Sequence, residues 1–225
     1  MNKTYSPIAG GADGLAVVGL AVVGMIAVGL VSCSSAPKGE AKPDAVSGVS
    51  MVDTGMGSVL DQLNPVQDGK RTLVVYFTTG NAAVRVAEDL AEMFSADLEL
   101  IVEEKPRKWG FMSGGFAATT GQAPPIVGSR FDPSAYGRVF VVSPVWAWRM
   151  APPIRSWLRR YKGKLPEAAY GTVSGDTEPK KIVAAMAKEG GREPFAYAGF
   201  SEKDFLAENR KIYLEKLRTL AGLKQ

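Results

Sequence analysis

From Thr72 onward the apolar positions follow two rhythms in turn. "TLVVYF" (72–77) is continuously apolar and rich in β-branched and aromatic residues, the pattern of a strand buried on both faces. Beyond "TTGN", residues Val84, Ala87, Leu90, Ala91 and Phe94 recur at helical spacing. "ADLELIVEE" (96–104) alternates and predicts a second strand, and "RVFVVSPVW" (138–146) is a third, again continuously apolar. "PPIRSWLRRYKG" (152–163) predicts a helix opened by proline in its first turn, with Ile154, Trp157 and Leu158 on one face and a stop at Gly163. "AAYGTVSGD" (168–176) is a weaker fourth strand, and "PKKIVAAMAKEGG" (179–191) a helix with a glycine stop. "FAYAGF" (195–200) is a short fifth strand, and "SEKDFLAENRKIYLEKLRTLAGL" (201–223) predicts one long amphipathic closing helix. Alternating strands and helices imply a doubly wound parallel sheet covered on both faces. Residues 105–137 break the rhythm, and a short helix inside a long connection is expected there.

Before residue 70 the pattern changes character. Lys3 precedes an apolar run from Gly14 to Val31, followed by small and polar residues, the layout of a secretory signal. Its ending, Leu30-Val31-Ser32-Cys33, resembles the lipobox of bacterial lipoproteins, which implies cleavage before Cys33 and lipidation of its sulfur. Asp13 and the long segment ahead of the apolar run depart from the common form. The competing reading is an uncleaved membrane helix, since 18 apolar residues are about the minimum that spans a bilayer. The expected organisation is a signal peptide over 1–32, a flexible Ser-, Gly- and Pro-rich tether over 33–69, and a folded domain over 70–225. Val59, Leu60 and Leu63 are placed to form one helical turn within the tether.

Composition narrows the chemistry. The 225 residues include no histidine and a single cysteine, Cys33. An intrachain disulfide, a Cys-His dyad and a cysteine-rich metal site are therefore excluded. Reactivity must come from carboxylates, hydroxyls, Lys or Arg, or from a bound cofactor. The net charge of +4 is too small and too scattered to indicate nucleic acid. The densest basic stretch, Arg149, Arg155, Arg159, Arg160, Lys162 and Lys164, reads as a solvated helix face.

Candidate chemistry collects at three strand ends, where ligands sit in doubly wound sheets. Thr78, Thr79, Gly80, Asn81 and Ala82 follow the first strand and offer hydroxyls and N–H groups at a helix N-terminus, suited either to a phosphate or to ordinary capping. Pro144, Val145, Trp146, Ala147 and Trp148 close the third strand, with indoles that suit either a planar ligand or the sheet edge. Ser174, Gly175 and Asp176 form a turn after the fourth.

In this order, "LVVYFTTGNAAVRVAEDLA" and "VFVVSPVWAWRMAPPIRSWL" resemble the phosphate-loop and flavin-facing segments of the flavodoxin family, and the likeness runs over residues 72–221. The resemblance implies a five-stranded parallel sheet in the order 2-1-3-4-5. It implies FMN, with its phosphate at Thr78 to Ala82 and its ring bordered by Pro144 to Trp148 and by Ser174 to Asp176. Trp146 is the expected stacking ring. Two features depart from the family: the phosphate loop is one residue short with Ala82 in place of a hydroxyl, and the chain is basic where electron-carrier flavodoxins are acidic. Three functions follow as expectations. The first is a membrane-anchored FMN protein of the extracytoplasmic envelope with electron-transfer or small-reductase activity, its redox partner a protein or a quinone. The second is a quinone- or porphyrinogen-linked oxidoreductase, and the third a flavin-free binding module. The leader lacks a twin-arginine pair, so the chain is expected to cross unfolded and acquire FMN outside the cytoplasm.

Overall fold

The computed structural model describes residues 58–105 and 110–223. The expected lipobox and signal, including Cys33, lie outside them. Strands β1 (Thr72–Tyr76), β2 (Asp97–Leu100), β3 (Arg138–Trp146), β4 (Arg149–Met150), β5 (Glu167–Ser174) and β6 (Pro194–Ser201) form one sheet in the order β2-β1-β3-β5-β6. All of its pairings are parallel except that of β4, which returns antiparallel against the end of β3. Counted among themselves, the five parallel strands run 2-1-3-4-5, as expected. The two-residue β4 was not predicted.

The continuous apolar runs are explained by two cores. Leu73 and Val75 of β1, with Val139 and Val141 of β3, face Ile154, Trp157 and Leu158 of α3 (Pro152–Arg160) and Ile182 and Met186 of α4 (Pro179–Gly190). Their neighbours Val74, Tyr76, Phe140 and Val142 face Val86, Leu90 and Met93 of α1 (Asn81–Phe94) and Tyr213 and Leu217 of α5 (Arg210–Leu220). Successive side chains of a strand point to opposite faces, so a strand covered on both must be apolar at every position. The helix expected in the long connection is α2 (Gly110–Thr119).

Two expectations need correction. The closing helix is broken: 3-10 turns at Glu202–Phe205 and Ala207–Asn209 precede α5, and Leu206 between them is extended at φ −77°, ψ 143°. The buried Asp204 fixes that break by accepting from the Ser201 N–H at 2.7 Å and from Lys216 Nζ at 2.5 Å. The segment read as tether is docked from Ser58 to Gly69. Val59 and Leu63 are buried against the α1 and α5 side, the Val66 N–H donates to the Met93 carbonyl at 2.7 Å, and Asp68 pairs with Arg138. Short apolar spacing registered as one turn; burial of that turn against a helix far along the chain did not show in the sequence.

Candidate functional site

Strands β1, β3 and β5 are adjacent, and their pairing aligns Tyr76 with Val142, Val142 with Gly171 and Pro144 with Val173. The loops that follow therefore leave the sheet at one level, over two inter-strand gaps or roughly 10 Å. The chain turns from β1 to β2 on one side and crosses to β3 on the other. The strand order thus reverses between β1 and β3, at the crevice where doubly wound sheets bind ligands. The three sets of sequence-predicted residues follow the ends of these three adjacent strands, β1, β3 and β5.

The first loop folds on itself. Thr78 Oγ1 accepts from the Gly80 N–H at 3.0 Å and also donates to the Gly80 carbonyl. Thr79, Gly80 and Asn81 are exposed. Gly80 is the N-cap of α1 and supplies no side-chain cap, and the first turn carries no acidic residue. The first N–H groups of α1 thus lack intrahelical acceptors, and nothing lies within 4 Å of the place a Cβ would occupy on Gly80. Donors plus the helix dipole, with no carboxylate in competition, suit an anion.

The second loop is a two-residue hairpin. Trp146 pairs with Arg149, and Ala147 and Trp148 between them take φ of 46° and 59°. Two consecutive left-handed residues match the right-handed twist of a hairpin, but here no glycine relieves the strain. Ser143 holds the root: its Oγ accepts from the Ala151 N–H at 3.1 Å and donates to the Pro144 carbonyl at 2.9 Å. The turn sends the two indoles apart. Trp146 is buried, edge-on to Phe77 with ring centroids 5.6 Å apart and pressed against Gly114 of α2. Trp148 is 73% exposed. The indole expected to stack on a ligand is thus enclosed in protein, and Trp148 carries the open ring.

The third loop is an ordinary turn, with Ser174 Oγ accepting from the Thr177 N–H at 3.0 Å. Gly175 and Asp176 are exposed, and Asp176 is the sole acid in the three predicted sets. Thr172 Oγ1, level with Ser143, is buried without a hydrogen-bond partner. Among the described residues no group of His, Cys, Asp or Glu is placed to hold a metal.

Sequence reading missed the contribution of α2. Gly114 admits the Trp146 ring, Gly115 runs beside Ala147, and Phe116 projects with 67% exposure. The signal was the "GG" inside a helical stretch, which commonly marks close backbone approach.

No protein-family model matches the sequence, and neither does any curated protein. Solved structures do match. A flavoprotein from Lactobacillus acidophilus NCFM, solved in complex with FMN, is 20% identical at a TM-score of 0.51, over 60% of this chain and 94% of that one. A protein from Bacteroides eggerthii DSM 20697, described as a flavoprotein, is 17% identical at a TM-score of 0.53, over 65% of this chain and 96% of that one. At these identities the likeness establishes the fold, a flavodoxin-like α/β sandwich.

Proposed function

We propose that this flavodoxin-like chain binds FMN across the ends of β1, β3 and β5 and serves as an electron-transfer protein or small reductase. The observation that carries the reading is the α1 N-terminus, without a side-chain cap, free of acids and following β1 directly at the switch point of the sheet. Thr79, Asn81 and the first N–H groups of α1 would hold the phosphate, while Thr78 keeps the loop folded through Gly80. The hairpin and the turn at Ser174 to Asp176 would border the ring, with Trp148 as the indole available to cover it. Bound FMN would supply the redox chemistry; the protein supplies position and exclusion of water, which suits a chain without histidine or a second cysteine. The FMN complex of the Lactobacillus neighbour is consistent with this reading.

The same proposal includes a lipid on Cys33 that tethers the domain to the extracytoplasmic face of a membrane, where its redox partner would be a protein or a quinone. A specific observation favours a second reading, the flavin-free binding module: the Thr78 hydroxyl is already committed to Gly80. Titrating the purified chain with FMN and with riboflavin decides between them. Preferential binding of FMN supports the phosphate cradle, and failure of both ligands to bind selects the module.

A further inference from the structure

The basic stretch that reads as a solvated helix face does something else in three dimensions. Arg149 of β4, Arg155 and Arg159 of α3, Lys162 just beyond it, and Lys181 and Lys188 of α4 line one cavity of about 450 Å³. Thr119 and Gly121 at the end of α2 complete the wall, and the sole carboxylate in the lining is Glu189. Glu189 binds Arg155 Nε at 3.2 Å and Arg159 Nε at 2.8 Å, so one carboxylate serves two guanidiniums. Arg149, Lys162, Lys181 and Lys188 have no ion-pair partner among the described residues.

The cavity is built rather than incidental. Arg155 is only 5% exposed, and its Nη1 donates to the Gln122 carbonyl at 2.9 Å, which anchors the guanidinium to the segment after α2. Burial holds that guanidinium below its ordinary range, and the charges of Arg159 and Arg149 push the same way against Glu189. A helix face in open water spreads its charges. Here cations from a strand and two helices converge on a concave surface, where self-repulsion is unfavourable and the field is focused outward.

We infer that this cavity binds a small molecule bearing at least two phosphate or carboxylate groups. The Arg149 guanidinium offers paired donors to either group, Arg155 and Arg159 add charge while held by Glu189, and the lysines add mobile point charges at the rim. The inference does not depend on flavin binding. Arg149 directly follows Trp148, however, so a ligand held here would lie beside the hairpin of the candidate flavin site.

The test is calorimetric titration of the full chain at low ionic strength with two probes, inorganic pyrophosphate and citrate. Lys181 and Lys188 are exposed, so Lys181→Gln/Lys188→Gln leaves the core intact. One-to-one binding of either probe is expected, weakened on the order of tenfold in that double variant. It should be unchanged by Lys203→Gln/Lys211→Gln, which removes the same charge elsewhere, and by Asn81→Ala in the β1 loop. The tighter probe identifies the group as phosphate or carboxylate. The inference is overturned by failure of both probes to bind, by equal weakening in the charge-matched control, or by loss confined to Asn81→Ala.

Discussion

Gly114 of α2 and the indole of Trp146 touch so closely that a Cβ on the glycine would lie 2.5 Å from Cζ3 and 2.6 Å from Cε3. The indole is also held edge-on by Phe77. Gly114→Ala should therefore lift α2 or tilt the ring, at a cost of about 1–3 kcal/mol for overpacking. Denaturant midpoint and tryptophan emission would report both. An unchanged midpoint with unchanged emission would mean that α2 is not seated on Trp146.

The two indoles of the hairpin should separate stability from binding. Trp146→Ala removes a core ring and should destabilise by about 3–5 kcal/mol. Trp148→Ala, at an exposed position, should change stability by less than about 0.5 kcal/mol while weakening FMN, since an aromatic pair contributes about 0.5–1.5 kcal/mol beyond burial. Trp148→Gly adds a sharper test. Its φ of 59° is unfavourable for any residue with a Cβ, so glycine should stabilise the flavin-free chain by about 1 kcal/mol and still weaken FMN. Unaltered FMN affinity in both Trp148 variants would remove this ring from the site.

The hairpin also marks the limit of what the residue pattern can tell. Continuous burial of β1 and β3 was legible because both faces of those strands are covered, and the parallel order followed from the alternation of elements. All three candidate loops could be located for the same reason. The facing of "WAWRM" could not. A strand period of two would put Trp146 and Trp148 on one side, and only the left-handed pair at Ala147 and Trp148 parts them. Leu206 likewise satisfies a helical period, but the Asp204 side chain that caps the first turn is also held by Lys216 of α5, twelve residues further along the chain. The convergence of α3 arginines with α4 lysines is equally a property of packing, invisible to a reading of either helix alone.

Asp68 couples the docked segment to the sheet, and its pH dependence has a definite sign. The hydrogen bond from Arg138 holds its carboxyl below the ordinary 3.8. A depressed carboxylate stabilises the fold above its unfolded value, and that stability is lost as pH falls through the lowered one. Removing the partner would leave a guanidinium whose Nε and Nη1 are already buried without acceptors. Asp68→Asn should thus lower the unfolding midpoint at neutral pH, and the gap from the parent should close as pH falls below about 4. A truncation beginning at Lys70, which also loses Val59 and Leu63, should be less stable still than one beginning at Ser58. Equal midpoints for the two truncations would return residues 58–69 to the status of a tether.

For Cys33, the expected outcome is a lipid-modified N-terminus on the mature chain and an unprocessed precursor in Cys33→Ala. Mass spectrometry of membrane-extracted protein checks it. An intact Met1 start with unmodified Cys33 would leave the apolar run as a plain anchor.

The β1 loop combines an uncapped helix N-terminus with two departures from the family it resembles, one residue fewer and Ala82 where a hydroxyl is usual. A hydrogen bond to a charged group contributes about 1.5–3 kcal/mol, so Ala82→Thr should tighten FMN by roughly tenfold or more. Riboflavin shares the ring but not the phosphate, and its affinity should stay unchanged in the same variant. Thr78→Val would test the other half of the loop. Thr78 Oγ1 is bonded to both polar backbone groups of Gly80, so its loss should loosen the turn and weaken FMN more than riboflavin. If Ala82→Thr strengthens both ligands alike, the added methyl is packing on the ring and the phosphate lies elsewhere. If it strengthens neither while FMN binds, the Ala82 side of the α1 N-terminus does not face the phosphate, and the cradle is built from Thr79 and Asn81 alone.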